Sequence, residues 1–199
     1  MRKSLVLATL VVLALSATSA LAGVPDPTRS GCAVTGNPLP CQFRFRADGN
    51  LDKLTLKCTV RDAFDAPVAN CSTYCNLGGA TLIAAQCGGN RKGGLTSAAG
   101  VVNFIYRCIG GRGQVNLLVT AVCSGNVGIC SRTISFTNPD LDASNQNSGS
   151  SVNVTDLGIW AGGLSSYAQA SDFDCSGAVN VTDLGIWAGG LNKNCSMCP

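Results

Sequence analysis

Five oxygen-bearing side chains, Asp172, Asp174, Ser176, Asn180 and Asp183, stand at positions 1, 3, 5, 9 and 12 of a 12-residue span, with Gly177 at position 6 and Val179 at position 8. That spacing suits a hard divalent cation. Ca²⁺ takes about six to eight oxygens at ~2.3–2.6 Å; alternate side chains supply them, the position-7 carbonyl of Ala178 adds one, and the glycine permits a sharp bend. The competing reading is a solvated Asp/Ser turn, against which stands the phase shared by all five donors, the glycine and the aliphatic. Position 12 is Asp, a shorter arm than the Glu usual there.

The thirteen residues 152–164 recur without change at 179–191, an offset of 27. Asn153 and Asp156 of the first copy therefore match Asn180 and Asp183. Counting back twelve from Asp156 reaches Asn145, whereas Asp140-Leu141-Asp142, the counterpart of Asp172-Phe173-Asp174, lies five residues further upstream. An insertion within 145–149 is inferred between the early donors (Asp140, Asp142 and Ser144) and the late ones (Asn153, Asp156). This copy is read either as a second Ca²⁺ loop or as a degenerate one kept for packing.

After position 12 the apolar period becomes helical: Leu157, Trp160 and Leu164, like Leu184, Trp187 and Leu191, sit at i, i+3 and i+7, on one face. Asp156 and Asp183 fall at the helix starts, where negative charge is favoured. Each helix carries three glycines costing about 1 kcal/mol apiece, so two to three turns are expected, stable when packed and metal-bound. No helix is expected before either loop, because Pro139 precedes Asp140 and the stretch before Asp172 has almost no apolar period.

Loop then helix, twice over, resembles the type I dockerin, a module of two tandem calcium loop-helix units that lack the entering helix of an EF-hand. The resemblance covers residues 140 to about 195. It implies Ca²⁺ ligands at Asp172, Asp174, Ser176, Ala178, Asn180 and Asp183, and at Asp140, Asp142, Asn153 and Asp156. It also implies docking onto a cohesin-like partner through loop positions 10 and 11, which here are Val154-Thr155 and Val181-Thr182, identical in both copies as a pseudo-two-fold module would have them. The basic pair expected later in the helix is replaced by Ala161-Gly162 and Ala188-Gly189, a departure that bears on partner choice and not on calcium.

Residues 1–22 read as a secretory signal peptide: Arg2-Lys3, an apolar run over 5–15, and small residues ending at Ala22, with cleavage before Gly23. No membrane span is expected after cleavage, and the expected location is extracellular or cell-surface. All 12 cysteines lie beyond residue 22, an even number that in an oxidising setting implies disulfides. Spacing does not fix their connectivity. One local pairing, Cys175 with Cys195, is expected to tie the second loop to the tail and to add about 3 kcal/mol. Cys195-Ser-Met-Cys198 has redox-motif spacing without a βαβ context.

Residues 23–137 form the other unit. Short strands are predicted over 42–46, 54–61, 68–74, 81–85, 101–107, 116–123 and 131–136, separated by Gly, Pro and polar turns, though the alanines of 81–85 would suit a helical turn equally well. Alternation of Leu54, Leu56, Cys58 and Val60 with Thr55, Lys57, Thr59 and Arg61 argues a sheet buried on one face, a sandwich pattern. The runs Gly88-Gly89 and Gly110-Gly111-Arg112-Gly113 read as hairpin turns. The pattern of 60–68, a strand-turn-Pro-Val strand, followed by the Thr-x-x-x-Gly hairpin of 96–104, resembles the bacterial immunoglobulin-like domains of invasin type over about 51–137. That resemblance implies a spacer or adhesive role and nothing catalytic.

The inventory argues against catalysis, since the chain has no His and no Glu among its 11 acidic residues. Asp62 and Asp65 make a formal carboxylate pair, but they sit in the turn 61–67, where Asp is ordinary. Charge divides unevenly: residues 23–137 hold 11 Lys/Arg against 5 Asp, and 138–199 hold 1 Lys against 6 Asp. Export and the lack of an aromatic-interleaved basic stripe argue against a nucleic-acid partner. The Asn-x-Ser/Thr matches at Asn70, Asn153, Asn180 and Asn194 read as incidental.

The expected whole is a mainly β, secreted, disulfide-stapled bacterial protein that is not an enzyme. An immunoglobulin-like β-sandwich (23–137) is followed by a small α-helical dockerin-like module of two calcium loop-helix repeats (138–199). Its function is read as Ca²⁺-dependent attachment to a cohesin-like or other surface protein in a polysaccharide-degrading or cell-surface assembly. The alternative is a calcium-stabilised structural or self-associating protein.

Overall fold

A computed structural model describes residues 23–36, 41–44, 54–78, 82–85, 90–107, 109–143 and 152–193. The signal-peptide reading, Ser144, the insertion within 145–149, Gly88-Gly89, Asn194, Cys195 and Cys198 lie outside these residues. The chain is mainly β. Its strands run in the order β1 (Gly31–Thr35), β2 (Phe43–Arg44), β3 (Leu54–Thr59), β4 (Ser72–Gly78), β5 (Leu82–Ala85), β6 (Arg91–Leu95), β7 (Val101–Tyr106), β8 (Ile109–Ala121) and β9 (Val127–Thr137). Two short helices follow, α1 (Val154–Gly162) and α2 (Val181–Gly190), with a 3₁₀ turn, Gln169–Ser171, between them.

Strands β1-β3-β7 form an antiparallel sheet of three, and β2-β9-β8-β4-β6 form the second sheet, where β5 also pairs with β8. Side-chain alternation sets which face is buried. Leu54, Leu56 and Cys58 of β3 are fully buried while Lys57 between them is exposed; Val102, Phe104 and Tyr106 do the same on β7. They share one core with Cys75 and Leu77 of β4, Val115, Leu117 and Val119 of β8, and Ile134 and Phe136 of β9. Burying each large aliphatic or aromatic side chain here contributes about 1.5–3 kcal/mol, which is why the two sheets face each other.

The strand predictions need four corrections. Residues 68–74 do not form one strand: Val68 N–H donates to Val60 O, Asn70 takes φ +54°, and the strand is Ser72–Gly78. Strands β1 and β6 have no counterpart in the sequence reading. The glycine run at 110–113 is not a hairpin turn but the start of β8, held between β5 and β9. The glycines serve there because Gly111 and Gly113 leave the extended region at φ +91° and +115°. Leu164 and Leu191 lie past the helix ends and are exposed, so the buried helical stripe is carried by Trp160 and Trp187 with Leu157, Ile159, Leu184 and Ile186 beside them.

Gly100 closes the turn before β7 at φ +71°, and a Cβ there would meet Val60 O at 2.5 Å and Pro67 Cα at 3.2 Å. Backbone on both sides leaves nothing to give way. Gly100→Ala is expected to cost roughly 2–3 kcal/mol, measured by urea unfolding; a loss below about 0.5 kcal/mol would contradict the turn geometry.

Candidate metal centre

The second loop is built from backbone outward. Asn180 caps α2, its Oδ1 accepting from Thr182 N–H at 2.8 Å, while Asp183 reaches back so that Oδ2 accepts from Asn180 N–H at 2.9 Å. That reciprocal capping box fixes the Asp183 carboxylate at the helix start. Its Oδ1 accepts from Phe173 N–H at 2.7 Å and Asp174 N–H at 3.3 Å, pulling the first limb of the loop over the helix. Asp172 accepts from Ser176 N–H at 3.0 Å through Oδ1 and from Gly177 N–H at 2.9 Å through Oδ2. Gly177, at φ +86°, makes the bend that the pattern assigned to position 6.

Carboxylate oxygens of Asp172, Asp174 and Asp183 all lie within 4.8 Å of one another. Asp172 and Asp183 are fully buried. Hydrogen bonds from Ser176 hold the Asp174 carboxyl below its ordinary pKa, so it stays ionised. Among the described residues no lysine or arginine pairs with these three acids. Buried carboxylates that converge without a cationic side chain are the arrangement a cation relieves, and an all-oxygen donor set is the one Ca²⁺ prefers. Ser176 Oγ lies 3.1 Å from Ala178 O, and Asn180 Nδ2 lies 3.3 Å from that carbonyl, so all six expected ligand residues are gathered in this loop.

The first copy reproduces the arrangement despite its extra residues. Asn153 Oδ1 caps α1 by accepting from Thr155 N–H at 2.8 Å, and Asp156 accepts from Asn153 N–H (2.8 Å) and Asp142 N–H (3.0 Å). Asp140, Asp142 and Asp156 offer oxygens within 4.8 Å of one another. Burial raises the Asp156 pKa above the ordinary carboxylate value and Asp142 adds repulsion, while backbone N–H groups oppose them. Leu141 and Phe173, each between its pair of acids, are both fully buried against Trp160 and Trp187, so one small core supports both loops. Asn192 N–H also donates to Val152 O at 3.3 Å, joining the end of α2 to the start of α1. At the proposed docking positions Val154, Thr155, Val181 and Thr182 are exposed, the two valines at 76% and 77%.

Several partners of this site carry no signal in the sequence. Cys175 bonds to Cys41 and not to Cys195, overturning the expected local pairing. Gln42 is buried and its Nε2 donates to Gln169 O (2.8 Å) and Asp172 O (2.9 Å), while Arg44 Nη1 donates to Phe173 O at 3.1 Å. Thr137 Oγ1 donates to Ala170 O at 2.6 Å, and Gly111 N–H donates to Asp140 O at 2.7 Å. Tyr167 OH donates to Asp172 Oδ2 at 3.0 Å. Only the even cysteine count hinted at any of this, by implying disulfides without fixing their partners.

Two other candidate groups resolve differently. Sγ atoms of Cys32, Cys58 and Cys130 lie within 4.8 Å of one another, but Cys32 and Cys130 form a disulfide between β1 and β9. Burial, with Cys75 nearby, pushes the Cys58 thiol up to about 12, so it stays protonated and is a poor ligand or nucleophile near neutral pH. A third disulfide, Cys71–Cys123, secures the entry to β4. Asp62 Oδ1 accepts from Phe64 and Ala66 N–H at 2.9 Å each, and Asp65 sits at φ +63°, which is turn chemistry.

No protein-family model matches the chain, and no curated protein does. Among solved structures, the Yersinia pseudotuberculosis adhesin InvE is similar over 58% of this chain, at 19% identity and a TM-score of 0.39. The match spans 28% of the adhesin's chain. No helix among the described residues is long and apolar enough to cross a membrane.

Proposed function

We propose that this is a secreted, non-catalytic, calcium-binding protein: an immunoglobulin-like β-sandwich whose dockerin-like tail binds two Ca²⁺ ions and attaches the sandwich to a partner surface protein. The observation that carries the calcium reading is the duplication of one geometry, three convergent carboxylates beneath a capping box, in two copies of different loop length. Asp172, Asp174, Ser176, Ala178, Asn180 and Asp183 would hold one ion; Asp140, Asp142, Asn153 and Asp156 would contribute to the other. The bound ion supplies positive charge that the acids themselves lack. Its role is structural, fixing the start of each helix and with it the exposed pairs Val154-Thr155 and Val181-Thr182.

Calcium-dependent attachment, to a cohesin-like protein as in polysaccharide-degrading assemblies, follows from those identical exposed pairs. A second reading, a calcium-rigidified structural or self-associating terminus, draws support from the Cys41–Cys175 bond and the hydrogen bonds of Gln42 and Arg44. These join the tail to the sandwich without a free linker. Calorimetric titration with Ca²⁺ is expected to give two ions per chain; one ion would assign the first copy to packing alone, and none would overturn the calcium reading. A pull-down from cell-surface extract with and without Ca²⁺ separates the two roles: failure to capture a partner in calcium would sink attachment and leave the structural role.

A further inference from the structure

Asp62 is 2% exposed, and its carboxylate carries no cationic partner among the described residues. Oδ1 is occupied by the N–H groups of Phe64 and Ala66, which close the turn, whereas Oδ2 accepts a single bond, 3.1 Å long, from the backbone nitrogen of Gly23. The neighbouring backbone is fixed around it: Asp26 N–H donates to Arg61 O at 2.7 Å, and Ser30 and Arg61 exchange hydrogen bonds between the Ser30 hydroxyl and the Arg61 backbone. The Gly23 nitrogen is therefore held at Asp62 by the fold. Gly23 is also the residue at which the sequence places the start of the exported chain.

We propose that removal of residues 1–22 turns this hydrogen bond into an ion pair, the new α-ammonium of Gly23 docking on the buried carboxylate of Asp62 and locking the N-terminal segment onto the turn 61–67. Hydrolysis of the Ala22–Gly23 peptide bond by a signal peptidase adds water across it, leaving Ala22 as a carboxylate and the Gly23 nitrogen protonated. The same nitrogen thus changes from a neutral donor to a full positive charge. A buried carboxylate with one open side gains most from a cation at that side, and a charged donor strengthens the bond. Of the other charged groups in this corner, Asp26 accepts from Thr28 with Arg29 nearby, and Arg61 Nη1 donates to the Asp65 carbonyl. Hydrogen bonding from Gly23 foremost, then from Ala66 and Phe64, already holds Asp62 below its ordinary pKa against the cost of burial.

The proposal rests on the secretion reading, and its test separates the two. N-terminal sequencing of the exported protein is expected to read Gly-Val-Pro-Asp; another start overturns the proposal at its premise. With the Gly23 start in hand, the amine is expected to titrate above its ordinary value of about 8, because the Asp62 carboxylate favours its charged form, followed by pH-dependent acylation of the N-terminus. A chain beginning one residue earlier, at Ala22, moves the charge away from Asp62. It is expected to melt ~2–4 °C lower than the Gly23 form, with the gap closing as pH rises through the raised pKa of the amine. Asp62→Asn keeps an oxygen for Phe64 and Ala66 but no charge, and should abolish the gap between the two starts. An unshifted amine, or an equal gap in the Asp62→Asn background, would overturn the ion pair while leaving secretion intact.

Discussion

Replacing Asp172 and Asp183 together by asparagine is expected to lower the melting temperature in millimolar calcium by about 10 °C and to leave it nearly unchanged in chelator. The arithmetic is linkage: an ion present at about a thousand times its dissociation constant stabilises the folded chain by ~4 kcal/mol, and each kcal/mol moves the midpoint of a domain this size by ~2–4 °C. Asparagine is nearly isosteric, so its oxygen can still accept from Phe173 or Ser176 N–H, the bonds that shape the loop. What it removes is charge. In chelator the wild-type loop keeps Asp172, Asp174 and Asp183 within 4.8 Å of one another, and relief of that repulsion offsets the lost bonds from Asn180 N–H to Asp183 and from Gly177 N–H to Asp172. Equal destabilisation in calcium and in chelator would mean that the two acids act only as caps, and calcium would have to be withdrawn from this loop.

How much of this was legible in the sequence depends on how local the physics is. The second loop was readable because its donors, its bend and its cap lie within twelve residues, and each position has one structural job. The first loop was readable only by homology to the second: the added residues break the count, yet the Leu141 and Phe173 anchors bring both acid pairs to their helices. Long-range choices left no such trace. Strand β6, Arg-Lys-Gly-Gly-Leu, has neither β-branched residues nor an apolar face, and becomes a strand because β4 offers it a partner. The run of glycines in β8 looks like a turn by propensity and is a strand because β5 and β9 flank it. Gln42 and Arg44, which hold the second loop from the far side of the chain, look like any polar residues of a short edge strand.

Cys41 was the least legible partner, and its bond carries a predicted energetic effect as large as that of the ion. Changing Cys41 and Cys175 to serine opens a loop of 134 residues, for which chain entropy alone gives about 5 kcal/mol. The surviving Cys32–Cys130 bond shortens the path, however, since the chain can be followed from Cys41 back to Cys32, across to Cys130 and on to Cys175. That leaves roughly 55 residues, and the expected loss becomes about 4 kcal/mol. Unlike the Asp172 and Asp183 substitutions, this one should destabilise in chelator as well as in calcium, because the disulfide restricts the unfolded chain whether or not an ion is bound. It should also weaken calcium at the second loop alone. Cys175 stands at loop position 4 with φ +57°, between Asp174 and Ser176, and the bond to Cys41 ties that left-handed residue to the segment before β2 whose Gln42 holds the Asp172 carbonyl. Urea unfolding in both media, paired with calcium titration, reads the two effects separately: a loss under about 1 kcal/mol would remove the staple from the account of stability, and an unchanged second-site affinity would show that the loop shapes itself without it.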